Sequence, residues 1–421
     1  MIALVDVNNF YVSCERLFNP KLFNKPVVVL SNNDGCIISR SNEAKLLGIK
    51  MGTPLFKIKD LIKSFGIIVL SSNYPLYADI SNRAMILLAS FSPRQEIYSI
   101  DECFLDLSGN REPYITGQII KKKLWQYLGM PVCVGIAPTK TLAKLANYCA
   151  KKQSEWSGVC NFSELSIVKI DDLMSKINVS EVWGVGNKTA DKLRSIGIYS
   201  VLDLKKSDAI YMKKKFGINL EKTIYELNKT ICFPVNLKTP LKKQVISSRS
   251  FGYPIESYNL LVEAVTTFTS RVAYKSRQQN TLAEYVSVFI SSNPFQKKRY
   301  YYRNNITLKL PYPTNDTNLI LSLALEGLRF IYKANIKYAK CGVVLSGMID
   351  ESKTQAYLWP VKTVERSRLN QVIDTINVKF DKQSIRLATQ PINPVWKMKQ
   401  SRKSQSFTTS WQELLVVNSV Q

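Results

Sequence analysis

Two stretches of this chain place carboxylates where the surrounding residues read as buried strand. Asp6 interrupts Met1-Ile2-Ala3-Leu4-Val5-Asp6-Val7, and Asp101 and Glu102 interrupt Tyr98-Ser99-Ile100-Asp101-Glu102-Cys103-Phe104-Leu105-Asp106. A buried polar group without compensation costs on the order of 2–7 kcal/mol, so three such acids brought together call for cations. The chain contains no histidine. An oxygen-only donor set suits Mg²⁺ or Mn²⁺, and a pair of such ions suits phosphoryl transfer. Taken singly, an aspartate at a strand end is equally a cap or turn residue; the two stations together favour the metal reading. Successive side chains on an ideal strand point to opposite faces, so Asp101 and Glu102 reach one site only from a strand end, bulge or turn. Asp106 reads as structural.

The elements that position these acids belong to a multidomain chain. Its 421 residues exceed one ordinary domain and suggest roughly three or four. Lys and Arg number 58 against 32 acids, a net charge of +26, which favours a polyanionic partner and salt-sensitive binding, nucleic acid first. A membrane partner is not expected, because no apolar run reaches spanning length and no polybasic anchor adjoins a lipidation motif. The apolar start meets Asp6 too early for a secretory signal, which points to the cytoplasm. Eight cysteines form no CxxC pair and have no histidine to complete a zinc site, so reduced, mostly buried thiols are expected.

The pattern predicts strands over 1–10, 25–30 and 132–136, two strands over 96–107 around the acidic turn, and helices over 41–47, 57–65 and 81–90. Together these form a mixed α/β unit. Trp183-Gly184-Val185-Gly186-Asn187-Lys188 opens a turn-helix-turn of helix-hairpin-helix type, in which Gly184 and Gly186 let backbone amides approach a phosphate and Lys188 adds charge; an ordinary glycine-capped helix turn is the plainer alternative. A Pro- and Lys-rich linker spans 236–242. Beyond it, strands and helices follow in the order βαββαβ over 243–350, where 15 basic and 6 acidic residues lie between Leu241 and Asp350. Lys297, Lys298, Arg299 and Arg303, among tyrosines at the second-to-third strand connection, suit a DNA groove or are a solvated hairpin tip. A tail over 351–421 carries a predicted helix near 364–380 and a basic, serine-rich run over 397–406, and reads as a partner-binding segment, partly disordered alone.

The motifs DVNNFYVSCE, YSIDECFLDL, VGIAPTKTLAKLAN and WGVGNKTADKL resemble those of the Y-family DNA polymerases, and LSNNDGC and SSNYPLYAD are similar to the UmuC type within that family. The resemblance spans about 1–350 and continues more weakly through the tail. It implies a right-hand-like α/β and α+β fold: a palm over 1–10 and 74–170, small fingers over 11–73, a helix-hairpin-helix thumb over 171–235 and a little finger over 243–350.

By the same resemblance, Asp6 and Asp101 bridge two Mg²⁺ ions, Glu102 helps hold the catalytic one and Val7 offers its carbonyl. Tyr11 matches a steric gate against the ribose 2′-hydroxyl with Phe10 beside it, Ile38 covers the nascent base pair, and Ser39, Lys45 and Lys151 hold the triphosphate. Lys140 is expected on DNA. Asn42 stands where many relatives have tyrosine, and Lys45 replaces a common arginine. Gln355, Leu358 and Trp359 resemble a sliding-clamp peptide, with Ala356 departing from it. The implied activity is error-prone translesion synthesis on primer-template DNA with deoxynucleoside triphosphates, in the SOS response of a bacterial cytoplasm, with a processed UmuD-type dimer and a RecA filament as partners. The rivals are a metal-dependent nuclease, which would need a base to activate water and gives Tyr11 no role, and a non-catalytic DNA-binding scaffold of a repair complex.

Overall fold

A computed structural model of the chain describes residues 1–237, 241–295, 301–353, 367–380 and 384–414. The chain divides into two compact units, the first made of Met1–Ser31, Cys36–Thr239 and Arg402–Gln421, the second of Asn32–Gly35 and Pro240–Ser401. Among the described residues no helix is long and apolar enough to cross a membrane. All eight cysteines are free thiols, six of them buried and Cys36 and Cys232 half-buried.

In the first unit, β1 (Ile2–Val7) is buried along its whole length. The expected continuation of this strand to Phe10 does not occur: Asn9 adopts left-handed backbone, φ 50°, and helix α1 (Phe10–Phe18) begins there. Asparagine tolerates that conformation better than most residues, and the strand-forming aromatics Phe10 and Tyr11 are instead the first turn of the helix. There follow β2 (Val27–Leu30), β3 (Ile37–Arg40), α2 (Asn42–Leu46), α3 (Lys59–Phe65) and β4 (Ile68–Ser71). The three strands form a sheet of order β3-β2-β4, with β4 at one edge. Ser41 caps α2 by accepting the Ala44 amide, and Gly66 ends α3 at φ 60°. The sequence pattern did not reveal β3 or β4, which at four residues each are too short to display a period.

Next come α4 (Tyr74–Ala89), β5 (Gln95–Ile97), β6 (Glu102–Asp106), α5 (Pro113–Leu128), β7 (Val132–Ala137), α6 (Lys140–Lys152) and β8 (Val159–Asn161). Helix α4 starts at Tyr74, well before the expected 81, with Pro75 in its first turn, where a missing amide costs nothing. The five strands order as β5-β6-β1-β7-β8, so β1 is central and antiparallel to both neighbours. Helix α6 lies close on β7: a Cβ on Gly135 would sit 2.1 Å from the Asn147 amide nitrogen and 2.3 Å from the Ala143 carbonyl oxygen. Five helices complete the unit: α7 (Ile167–Lys176), α8 (Asn187–Arg194), α9 (Val201–Lys206), α10 (Ala209–Phe216) and α11 (Ile218–Leu227).

The buried Glu226 of α11 ties this helical part to α6. Its carboxylate accepts from the amide and hydroxyl of Thr141, both at 2.9 Å, and from the amides of Cys232 and Phe233 at 3.0 and 2.9 Å.

The second unit follows the expected βαββαβ order in β9 (Gln244–Ile255), α12 (Tyr258–Gln278), β10 (Thr281–Ser292), β11 (Arg303–Thr314), α13 (Thr317–Ile331) and β12 (Tyr338–Ser346). A two-residue β13 (Ile349–Asp350) pairs with β10, and the sheet runs β11-β10-β12-β9. In the tail, α14 (Ser367–Lys379) is held to α12 by Arg277, which donates to both carboxylate oxygens of Asp374 at 2.7 and 2.9 Å. Trp396, 2% exposed, packs against the rings of Phe251 and Phe268. This stretch of the tail therefore contributes core residues.

Candidate active site

Adjacent antiparallel strands bring the two acidic stations together. Asp6 on β1 is directly opposite Glu102 on β6, and the Val7 amide donates to the Asp101 carbonyl at 3.0 Å. Directly paired residues share one sheet face, so Asp6 and Glu102 point the same way. Asp101 reaches them from the β5–β6 turn, as the Asp-Glu dipeptide requires. Ser99 shapes that turn: its hydroxyl donates to Asp101 Oδ1 at 2.6 Å and accepts the Glu102 amide at 3.0 Å. Asp106 is tied up structurally, accepting from the Ser108 amide at 2.9 Å and pairing with Arg94 at 3.2 Å.

Cations from α6 meet the acids. Lys151 Nζ lies 2.5 Å from Asp6 Oδ2. Lys144 Nζ lies 2.9 and 3.0 Å from the two oxygens of Glu102 and 4.5 Å from the centre of the Tyr98 ring. Burial pushes the Asp6 carboxyl up to about 6, against the pull of Lys151, and the charges of Glu102 and Asp101 act in the same direction as burial. Among the described residues, no three acidic or cysteine side chains are drawn together tightly enough to cage a metal as they stand. The donors are nonetheless all oxygen, which fits a hard divalent ion, and ammonium groups already sit where the carboxylates need positive charge.

A basic cluster borders Asp6. Lys45 is held below its ordinary value by burial and then by the neighbouring charges of Arg40, Lys151 and Lys152, with Asp6 opposing. Lys45 donates to Asn42 Oδ1 at 3.3 Å, and Asn9 donates to the same oxygen at 3.0 Å, so Asn42 links α2 to the start of α1. Ser39 is buried, with its hydroxyl 3.5 Å from the Asn9 carbonyl, and Ile38 is half-buried beside it on β3.

Tyr11 stacks on Tyr77 with centroids 4.4 Å apart and planes at 15°, and meets Tyr74 edge-on at 6.1 Å. Burial, then the charges of Tyr74 and Asp101, raise the Tyr11 hydroxyl above its ordinary value. Phe10 is 4% exposed and packs into the core 5.7 Å from the Tyr11 ring, so of these two rings Tyr11 is the accessible one.

Other expected contacts divide. Gly184, at φ 86°, makes the turn before α8, and Gly186 caps that helix with open space where its Cβ would be; Lys188 is exposed in its first turn. Arg303 is exposed at the start of β11. Lys297, Lys298, Arg299, Gln355, Leu358 and Trp359 lie outside the described residues. Lys140 is a correction: expected on DNA, it is 2% exposed, paired with Glu96 and 5.0 Å from the Phe104 ring. Its position just inside α6 turns it toward β5 and β6. Arg40, Lys144 and Lys152 were not anticipated. The spacing of Lys144 and Lys151, two turns apart on one helix face, was the available signal.

Models of the impB/mucB/samB family match residues 5–148 and, for its C-terminal domain, 242–358; the helix-hairpin-helix motif of the same family matches 169–198, and a domain of unknown function matches 367–417. The chain is 39% identical to the protein UmuC of Salmonella typhimurium LT2, covering 99% of this chain and 100% of the relative. It is 31% identical to DNA polymerase IV of Oceanobacillus iheyensis over 53% of this chain and 52% of that one. Among solved structures, a Y-family DNA polymerase chimera of Dbh and Dpo4 superposes with a TM-score of 0.65 at 24% identity, covering 83% of this chain and 99% of the other.

Proposed function

As the chain belongs to the impB/mucB/samB family, we propose that it is a DNA-directed DNA polymerase of the Y-family that extends primer ends opposite damaged template. The observation that carries this reading is the pairing of Asp6 with Glu102 across central strands, with Asp101 at the adjoining turn and a basic cluster and Tyr11 beside them.

Asp6, Asp101 and Glu102, with the Val7 carbonyl, would hold two Mg²⁺ ions, or Mn²⁺ in their place. When bound, such ions supply activation of the primer 3′-hydroxyl and neutralise charge on the triphosphate and the departing pyrophosphate. The chain's own residues position the substrate. Lys45, Arg40, Lys151 and Lys152 hold the triphosphate, Lys151 exchanging Asp6 for phosphate oxygen. Ser39 and Ile38 face the nucleotide from β3, and the Tyr11 ring meets the sugar and excludes a 2′-hydroxyl. Gly184, Gly186 and Lys188 hold the DNA backbone at the start of α8, as do Arg303 and its basic neighbours in the second unit.

The SOS role, the processed UmuD-type dimer, the RecA filament, the sliding clamp and the cytoplasmic location belong to the same proposal and rest on the family resemblance. A scaffold without catalysis draws on a single observation, that Lys144 pairs with Glu102 and Lys151 with Asp6.

The deciding experiment is primer extension on an abasic-site template with Mg²⁺ and deoxynucleotides, comparing the parent with Asp101→Ala, alone and with the UmuD-type dimer and activated RecA. Extension by the parent that disappears in the variant is expected. DNA binding without extension in every assembled reaction favours the scaffold, and loss of primer length favours a nuclease.

A further inference from the structure

The tail domain that matches a family of unknown function ends on the polymerase core of the first unit. There residues 402–407 touch three elements. The Ser71 amide, at the end of edge strand β4, donates to the Arg402 carbonyl at 2.9 Å, and the Arg402 amide donates back to the Ser71 hydroxyl at 3.0 Å. Asn73, fully buried just before α4, donates from Nδ2 to the Ser404 hydroxyl at 2.9 Å and to the Gln405 carbonyl at 3.1 Å. The Phe407 ring stacks on Phe18 of α1, with centroids 4.8 Å apart and planes at 6°.

These contacts converge on a buried carboxylate one helical turn from Tyr11. Ser404 donates its hydroxyl to Glu15 Oε1 at 3.1 Å, and Tyr77 of α4 donates to the same oxygen at 2.7 Å. Tyr77, with no exposed surface, is the ring on which Tyr11 stacks. Residues i and i+4 of a helix lie one above the other, so Tyr11 and Glu15 share the face of α1 turned toward α4. A chain of contacts thus runs from Ser404 through Glu15 and Tyr77 to Tyr11, while Phe407 holds the far end of the same helix.

We propose that residues 402–407 are a brace that positions the Tyr11 ring, so that this segment of the tail helps set discrimination between deoxyribonucleotides and ribonucleotides. The inference rests on the reading of Tyr11 as the sugar gate. Ser404 and Phe407 are positioning residues: neither touches the site, and each acts through α1 or α4. With the brace loosened, α1 and α4 part slightly, the Tyr11 ring yields, and a 2′-hydroxyl is admitted.

The test measures kcat/KM for single deoxynucleotide and ribonucleotide insertion by the whole 421-residue chain, using Ser404→Ala, Ser404→Thr, Phe407→Ala, Tyr77→Phe and Tyr11→Ala, and Ser404→Ala in the Tyr11→Ala background. The expected result is a sugar discrimination lowered about 3–10-fold in Ser404→Ala, the span of one lost hydrogen bond. Deoxynucleotide insertion should stay near the parent's. Ser404→Thr, which keeps the hydroxyl, should keep the discrimination, and Ser404→Ala should have no further effect once Tyr11 is alanine. If Tyr11→Ala relaxes discrimination while Ser404→Ala, Phe407→Ala and Tyr77→Phe all match the parent, the brace is wrong and the gate stands. If Tyr11→Ala changes nothing, the gate reading fails and the brace with it. Tyr77→Phe keeps the stacked ring and removes only the hydroxyl, so it answers the question even where an alanine variant folds poorly.

Discussion

The ammonium of Lys144 bridges both carboxylate oxygens of Glu102, at 2.9 and 3.0 Å, while resting on the ring of Tyr98. A cation so placed competes with any metal that Glu102 would hold. Replacing Lys144 with Gln should therefore lower the Mg²⁺ concentration that gives half-maximal extension by roughly two- to fivefold, the upper range of what partly exposed ion pairs contribute. A magnesium titration of primer extension measures this, and an unchanged midpoint would remove the competition.

Glu15 predicts a pH dependence of stability. Burial holds its carboxyl above the ordinary 4.5, against the hydrogen bonds from Tyr77 and Ser404 and the charge of Lys403. A carboxyl whose folded-state value is raised favours the protonated form on folding. Its contribution is therefore fully present below about 4.5 and declines as pH rises through the folded-state value. Glu15→Gln stays neutral throughout, so the parent should lose stability relative to this variant as pH rises above 4.5. Urea midpoints at a series of pH values show the trend, and parallel curves would contradict it.

Glu226 is fully buried and accepts four hydrogen bonds from Thr141, Cys232 and Phe233. Glu226→Ala strands the buried amide and hydroxyl of Thr141, each worth about 1–3 kcal/mol when left unpaired in the interior, while the half-buried Cys232 and Phe233 amides can turn to water. A loss of at least about 2 kcal/mol in unfolding free energy is expected, with a smaller loss for Glu226→Gln, which retains one acceptor oxygen.

Gly135 admits no side chain without moving backbone atoms of α6. Overpacking of this kind costs about 1–3 kcal/mol. Because α6 carries Lys144 and Lys151, Gly135→Ala should also depress insertion by at least about tenfold, a shift of ~1.4 kcal/mol in barrier. Stability and single-turnover rate measured together separate the two effects.

Much of the site is legible in the sequence because a carboxylate in an apolar strand is a local anomaly. Asp6, Asp101 and Glu102 stand out from their immediate neighbours, and Gly184 and Gly186 do so by spacing. Features that depend on distant partners were not legible. Lys140 looks like any surface lysine in its own helix, and Glu96 and Phe104, both distant from it in sequence, account for its burial. Strands β3 and β4 are strands because β2 pairs with both. The tail is polar enough to read as a partner-binding segment, partly disordered alone, yet Trp396 fills a core and Ser404 completes the shell of a carboxylate near the opposite end of the sequence. Pattern reports which faces want burial; it does not report what supplies the cover.

The brace also bears on how the protein is made. Ser404 follows its partners Asn73 and Glu15 by 331 and 389 residues. At roughly 5–20 residues per second, a ribosome needs on the order of 20–80 s to bring it out. Throughout that interval the nascent chain holds an edge strand β4 without its cover and a Glu15 carboxylate short of one donor, which are the features that invite wrong pairing and chaperone attention. The first unit is thus completed only after the second has been made.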